Sequence, residues 1–304
     1  MTNIEELKNK IINLKKIKNA YIIAHNYMLP EVQDIADFVG DSLAMAQEAK
    51  KVNSNFIIVC GVYFMAETAA ILNPNKNVFI PDKNAGCPLA NFANPKMVIE
   101  WRKIYFDYDF VAYVNTTADV KALVDICCTS SNAIKIIKSL KNNKIVFLPD
   151  KNLGEYVKSQ IPEKEIITWP GYCIVHENAD LESVLEAKKS NPDALMMVHP
   201  ECPKEFRDLA DGICSTGQMI EFVRKNYNYN KFIVVTEWGM NYALSRNFPD
   251  KKFISPSIKL ECNNMKKITL DKVYNVLNEE KNKVIVDDEI AKKAYNAIEK
   301  MLII

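Results

Sequence analysis

No stretch of this chain stays apolar for the roughly 18 residues that a membrane-spanning helix needs. No charge sign dominates either: 39 Lys and Arg against 38 Asp and Glu leave a net charge of +1. The first absence argues against a membrane protein. The second argues against nucleic-acid binding, which calls for a basic surface, so any site for an anion must be local. Histidine is scarce, with three in 304 residues, and each of the three therefore has to be weighed singly. The opening residues do not read as a secretory leader. Residues 1–18 carry Ile4, Leu7, Ile11, Leu14 and Ile17 at helical spacing among charges, which reads as an amphipathic helix docked on its own protein. A cytoplasmic address is the expectation. With 48% hydrophobic and 25% charged residues the chain reads as soluble and globular, and its length suggests two or three domains.

What is present is a repeat. Cys87, Cys173 and Cys262 lie at nearly equal intervals, and each is followed seven residues later by a helix-start residue, Asn94, Asp180 or Thr269. Each unit opens with an apolar run, YIIAHNY, FVAYVNT or LMMVHPE, in which Asn26, Asn115 and Pro200 are read as sharing a position. Asp37, Asp125 and Asp211 follow, then the triplets GDS, CTS and CST, a helical stretch and a second apolar strand. Met65, Leu153 and Met240 are in phase beyond it. Strands alternating with helices imply parallel sheets covered on both faces. The expected architecture is α/β: three αβα sandwich domains related by a pseudo-three-fold axis around a central site. The boundaries are drawn at 19–106, 107–191 and 192–282, with an N-terminal helix before them and a C-terminal helix over 283–304.

In such sheets ligands gather beyond the carboxyl ends of the strands. His25, Tyr27, Asn115, His199 and Glu201 belong there. Ser42, Ser130 and Thr216 stand at strand-to-helix junctions, where one such hydroxyl alone would most simply cap its helix. Three helix starts together could cradle a polyanion. Three thiolates suit zinc or an iron–sulfur cluster, and residue type does not separate the two. None of the three cysteines has the CxxC neighbour typical of structural zinc knuckles. A three-cysteine 4Fe–4S cluster would leave one iron open as a Lewis acid. Cys60, Cys127, Cys128, Cys202 and Cys214 are read as buried small hydrophobes or undetermined rather than as ligands. His176, three residues after Cys173, has no settled role.

The strings AHNYMLPEVQDIADFVGDS, GVYFMAETAAILNP, YVNTTADVKA, TSSNA, GYCIVH, MVHPEC, STGQM and CNNMKKITL are similar to those of the quinolinate synthases, over about residues 20 to 300. That resemblance implies three αβα domains holding a 4Fe–4S cluster on Cys87, Cys173 and Cys262. It implies an enzyme of NAD biosynthesis that condenses iminoaspartate (iminosuccinate) with dihydroxyacetone phosphate, losing phosphate and two waters to form quinolinate. It further implies substrate contacts from His25, Ser42, Tyr113, Val114, Asn115, Ser130, His199, Pro200, Glu201 and Thr216. Acid–base work falls to Tyr27, His25, Tyr113, His199 and Glu201. The enzyme supplying iminoaspartate is a conceivable partner, and the stretch from Asp287 to Ile304 a conceivable lid.

Overall fold

Runs such as FIIVC, KIVFL and KFIVV lack polar alternation, as strands buried on both faces require. In the computed structural model, which describes residues 3–304, they form the inner strands of three four-stranded, wholly parallel sheets. The first sheet contains β1 (Ala20–His25), β2 (Phe38–Gly40), β3 (Phe56–Cys60) and β4 (Asn77–Phe79) in the order β2-β1-β3-β4. The second repeats that order with β5 (Asp109–Tyr113), β6 (Ile126–Cys128), β7 (Lys144–Leu148) and β8 (Glu165–Thr168). The third repeats it again with β9 (Leu195–Val198), β10 (Gly212–Ile213), β11 (Lys231–Val235) and β12 (Lys252–Ile254). Helices flank each sheet, and the three-unit α/β expectation holds. Each unit contains one more strand than the hydrophobic pattern suggested. β2, β6 and β10 are only two or three residues long, too short to display a period.

The three aspartates of the repeat hold these short strands in place. Asp37, Asp125 and Asp211 each accept a hydrogen bond from a main-chain N–H of the neighbouring strand, that of Ile22, Phe110 or Met196, at 2.8 to 2.9 Å. Each returns its own N–H to the carbonyl of the same residue. The crossover is thereby closed twice at one point, and an inner-strand amide beyond the reach of the short neighbouring strand is satisfied.

At the N-terminus the helix Asn3–Ile17 buries Ile11 and packs Leu7 and Leu14 on the core, against the helix Leu270–Glu279. Ile4 and Ile17, expected on the same stripe, are 52% and 78% exposed because they overhang the helix ends. The last helix, Asp288–Ile303, is capped by Asp287 and lies on β6 and on the helices Tyr63–Leu72 and Ala118–Lys121, where it joins the first unit to the second.

Candidate active site

All three sheets direct their strand ends at one cavity. The pairing sets the register there. His25 faces Gly40 and Tyr113 faces Cys128, while Val198 faces Ile213 one residue before His199 and Cys214. The equivalent residues are thus His25, Tyr113 and His199, then Asn26, Val114 and Pro200, then Tyr27, Asn115 and Glu201. The sequence reading, which aligned Asn115 with Asn26 and Pro200, was one residue out in the second unit. In an extended chain a one-residue slip exchanges faces. The first and third members of each triplet line the cavity, and the middle ones do not. Val114 is a core residue, 1% exposed, that lines a separate small void, and Pro200 also lies off the cavity wall. Asn26 turns away to donate to Thr216 Oγ1 at 3.0 Å.

Ser42, Ser130 and Thr216 all line the cavity. The capping role falls instead on their neighbours: Asp41 accepts from the Ala44 N–H, and Ser215 forms a capping box with Gln218. Ser42 and Thr216 are therefore first-turn residues with hydroxyls free of that duty. Sequence reasoning passed over Asp41 and Ser131, which also line the wall. Ser131 Oγ donates to Asp41 and lies 2.8 Å from Ser215 Oγ, so the three units are tied by one side chain each.

Two of the imidazoles are held alike. Nδ1 of His25 accepts the Tyr27 N–H at 3.2 Å, and Nδ1 of His199 accepts the Glu201 N–H at 3.3 Å. The tautomer follows, with the proton on Nε2. Burial drives both rings down to about 3, so they are neutral donors at pH 7. Burial also raises Tyr27 and Tyr113 well above the ordinary phenol value, with the charge of Glu201 adding to it. For Glu201 burial works against ionisation, but His199, His176 and the Tyr113 hydroxyl outweigh it and hold the carboxyl well below its usual range. Glu201 Oε1 is buried without a protein partner, as is Asn115 Oδ1. Both are lone pairs waiting for a donor, which is what a polar ligand would bring.

His176 now has a place. It stacks on His199 with ring centroids 4.7 Å apart, its Nε2 is 2.8 Å from Thr236 Oγ1, and its Nδ1 is 2.7 Å from Glu201 Oε2. Thr236 Oγ1 is in turn 2.5 Å from the Tyr27 hydroxyl. Tyr27, Thr236, His176 and Glu201 thus form one continuous polar chain along the cavity wall. Thr236 sits in a strand-like TE pair that carries no sequence signal for this role.

Cys87, Cys173 and Cys262 all line the cavity, each half-buried, and the other five cysteines do not. Each opens a short helical turn, Leu89–Phe92, Ile174–Glu177 or Met265–Lys267. The main-chain amides that follow, those of Ala90, His176 and Met265 among them, favour the thiolate. Burial prevails nonetheless and pushes Cys87 up to about 12, with Cys173 and Cys262 raised as well. The free thiols are neutral, so capture of a metal would expel three protons. Three sulfurs from three loops, with no fourth cysteine on the wall, fit a cluster with three protein ligands. Cys173, His176 and Glu201 also place three ligand atoms within 4.8 Å of one another. Beside Cys262, Lys266 reaches Glu237 Oε1 at 2.8 Å and lies over the Trp238 ring. No residue of Asp288–Ile303 lines the cavity, so that helix forms no part of its wall.

Residues 9–303 match the sequence model of the family described as Quinolinate synthetase A protein. Curated relatives named quinolinate synthase include that of Caldicellulosiruptor bescii, 48% identical over 99% of both chains. That of Thermodesulfovibrio yellowstonii is 47% identical over 96% of both. That of Aquifex aeolicus is 47% identical over 98% of this chain and 94% of its own.

Proposed function

The chain belongs to the quinolinate synthase family, and from that premise we propose that it joins iminoaspartate to dihydroxyacetone phosphate in this cavity, releasing phosphate and two waters. The observation that carries the reading is the meeting of three cysteine sulfurs, two neutral imidazoles and one buried carboxylate on a single wall. Cys87, Cys173 and Cys262 would hold a 4Fe–4S cluster. When bound, such a cluster supplies an iron without a protein ligand, a Lewis acid for a departing hydroxyl.

The remaining work belongs to the side chains. Both substrates are anions, and the chain offers them neutral donors: Nε2 of His25 and His199, and the hydroxyls of Ser42, Ser130 and Thr216 at or beside helix starts. Nδ2 of Asn115 is a further donor, and its orphaned Oδ1 can accept from an imine or hydroxyl. Glu201 is the base, anionic and with one oxygen uncommitted. Tyr27 and Tyr113 are the acids, kept protonated by burial and by the charge of Glu201. With Nδ1–H of His176 facing Glu201, a proton can pass from Tyr27 through Thr236 to Nε2 while the Nδ1 proton moves to Glu201, and the reverse shift restores both groups. His176 is thus assigned to the proton path and not to the cluster.

Anaerobic reconstitution followed by iron, sulfide and quinolinate assays tests the reading. Wild type should take up iron and sulfide and make quinolinate. Cys262→Ala should lose the brown absorbance and turnover together. Quinolinate production by that variant, or zinc without sulfide in the wild type, would overturn the proposal.

A further inference from the structure

The amides of the three cysteines are not held alike. In the register set by Met65, Leu153 and Met240, the residue three places earlier is Val62, Asp150 or Glu237, at the mouth of the loop after β3, β7 or β11. Asp150 and Glu237 are both fully buried. One oxygen of each ties down its own following helix: Asp150 Oδ1 accepts from the Leu153 N–H and Glu237 Oε2 from the Gly239 N–H, both at 2.8 Å. The other oxygen reaches across to the cysteine loop. Asp150 Oδ2 accepts the N–H of Cys173 at 3.0 Å, and Glu237 Oε1 accepts the N–H of Cys262 at 3.2 Å. Val62 has no acceptor to offer Cys87. A main-chain bond common to all three units runs to the carbonyl two residues before each cysteine, from Tyr63 to Ala85, Lys151 to Gly171 and Trp238 to Leu260. The backbone link is therefore threefold and the carboxylate clamp twofold.

We propose that Asp150 and Glu237 are positioning residues for the metal centre, holding Cys173 and Cys262 ready before metal arrives and leaving Cys87 as the ligand that closes last and opens first. A carboxylate bonded to a ligand's own amide fixes the Cα from which the sulfur swings, the part that outer-shell groups play around other metal sites. The inference rests on the cluster reading above.

Asp150→Asn and Glu237→Gln keep side-chain volume but replace one acceptor oxygen with a nitrogen that has no lone pair, so one amide of each clamped pair must go unbonded whichever way the group turns. After anaerobic reconstitution both variants should lose iron to a chelator faster than wild type, by about tenfold or more. Asp211→Ala removes the bond to Met196 N, away from the three cysteines on the cavity wall, and should lose iron at the wild-type rate. Alkylation during iron release from wild type should label Cys87 first. Unchanged rates in both clamp variants, equal acceleration in Asp211→Ala, or first labelling at Cys173 or Cys262 would overturn the proposal. Amide exchange in the cluster-free chain gives an independent reading, slower at Cys173 and Cys262 than at Cys87, and equal exchange would also overturn it. A wild type that takes up neither iron nor sulfide would instead refute the cluster reading, and the exchange measurement would still decide the clamp.

Discussion

Compare the aspartates beside β2, β6 and β10 with the strand ends twelve residues before them. Asp37, Asp125 and Asp211 make the same bond to the same kind of amide three times. The strand ends carry His25 and Tyr27, Tyr113 and Asn115, His199 and Glu201, and no two pairs are alike. The fold keeps its symmetry where a main-chain group has to be satisfied and drops it along the cavity wall. Two of the three copies still share a device, an imidazole whose Nδ1 is occupied by the amide two residues on. What differs is the side chain at that second residue, a phenol in one copy and a carboxylate in the other.

The comparison can be broken at either end. The largest effect belongs to Glu201→Gln, which keeps the shape and removes the base. We expect kcat to fall by about 10²- to 10⁴-fold, with cluster content and melting temperature close to wild type. Activity within a few-fold of wild type would move the base elsewhere. Breaking the repeated half is milder in turnover and larger in stability. Asp37→Ala removes the acceptor of the Ile22 N–H and should cost about 1–3 kcal/mol of unfolding free energy. Its kcat should be unchanged, and a selective loss of kcat would show that these aspartates serve the site directly.

The smallest effect is in the acid limb of stability. His25 and His199 have folded values lowered to about 3, against about 6.5 for the unfolded chain. The unfolded state therefore binds protons that the folded state refuses. Their contribution is complete above about pH 6.5 and is lost as pH falls from there towards 3. Denaturant melts between pH 7 and pH 4 should show stability falling, less steeply in His25→Gln. A curve of equal slope in that variant would mean that the ring already carries charge in the folded protein.

Much of this was legible in the sequence because the inner strands are long, apolar and regularly spaced. The three cysteine loops stood out because each is followed by the same helix start. Asn94 and Asp180 do cap those helices, whereas Thr269 occupies the start without a side-chain bond. The register of the second unit was misread because Tyr113-Val114-Asn115 contains an Asn that resembles Asn26 and no His to anchor the comparison. The clamps and the polar chain were invisible for another reason. Asp150 lies 23 residues before Cys173, and Thr236 lies 209 residues after Tyr27. Only the crossovers bring them together.

One consequence follows for how the molecule is made. Its three sulfurs are encoded in order, one per unit, and no two units supply all of them. A growing chain that has released its first two units therefore presents an open half-cage with Cys87 and Cys173 and no third ligand. On the cluster reading, metal loading would then be a late event in the life of each molecule. It waits for the third unit to emerge and for Ser131 to find both Asp41 and Ser215, and any iron delivered earlier would meet a site too incomplete to retain it.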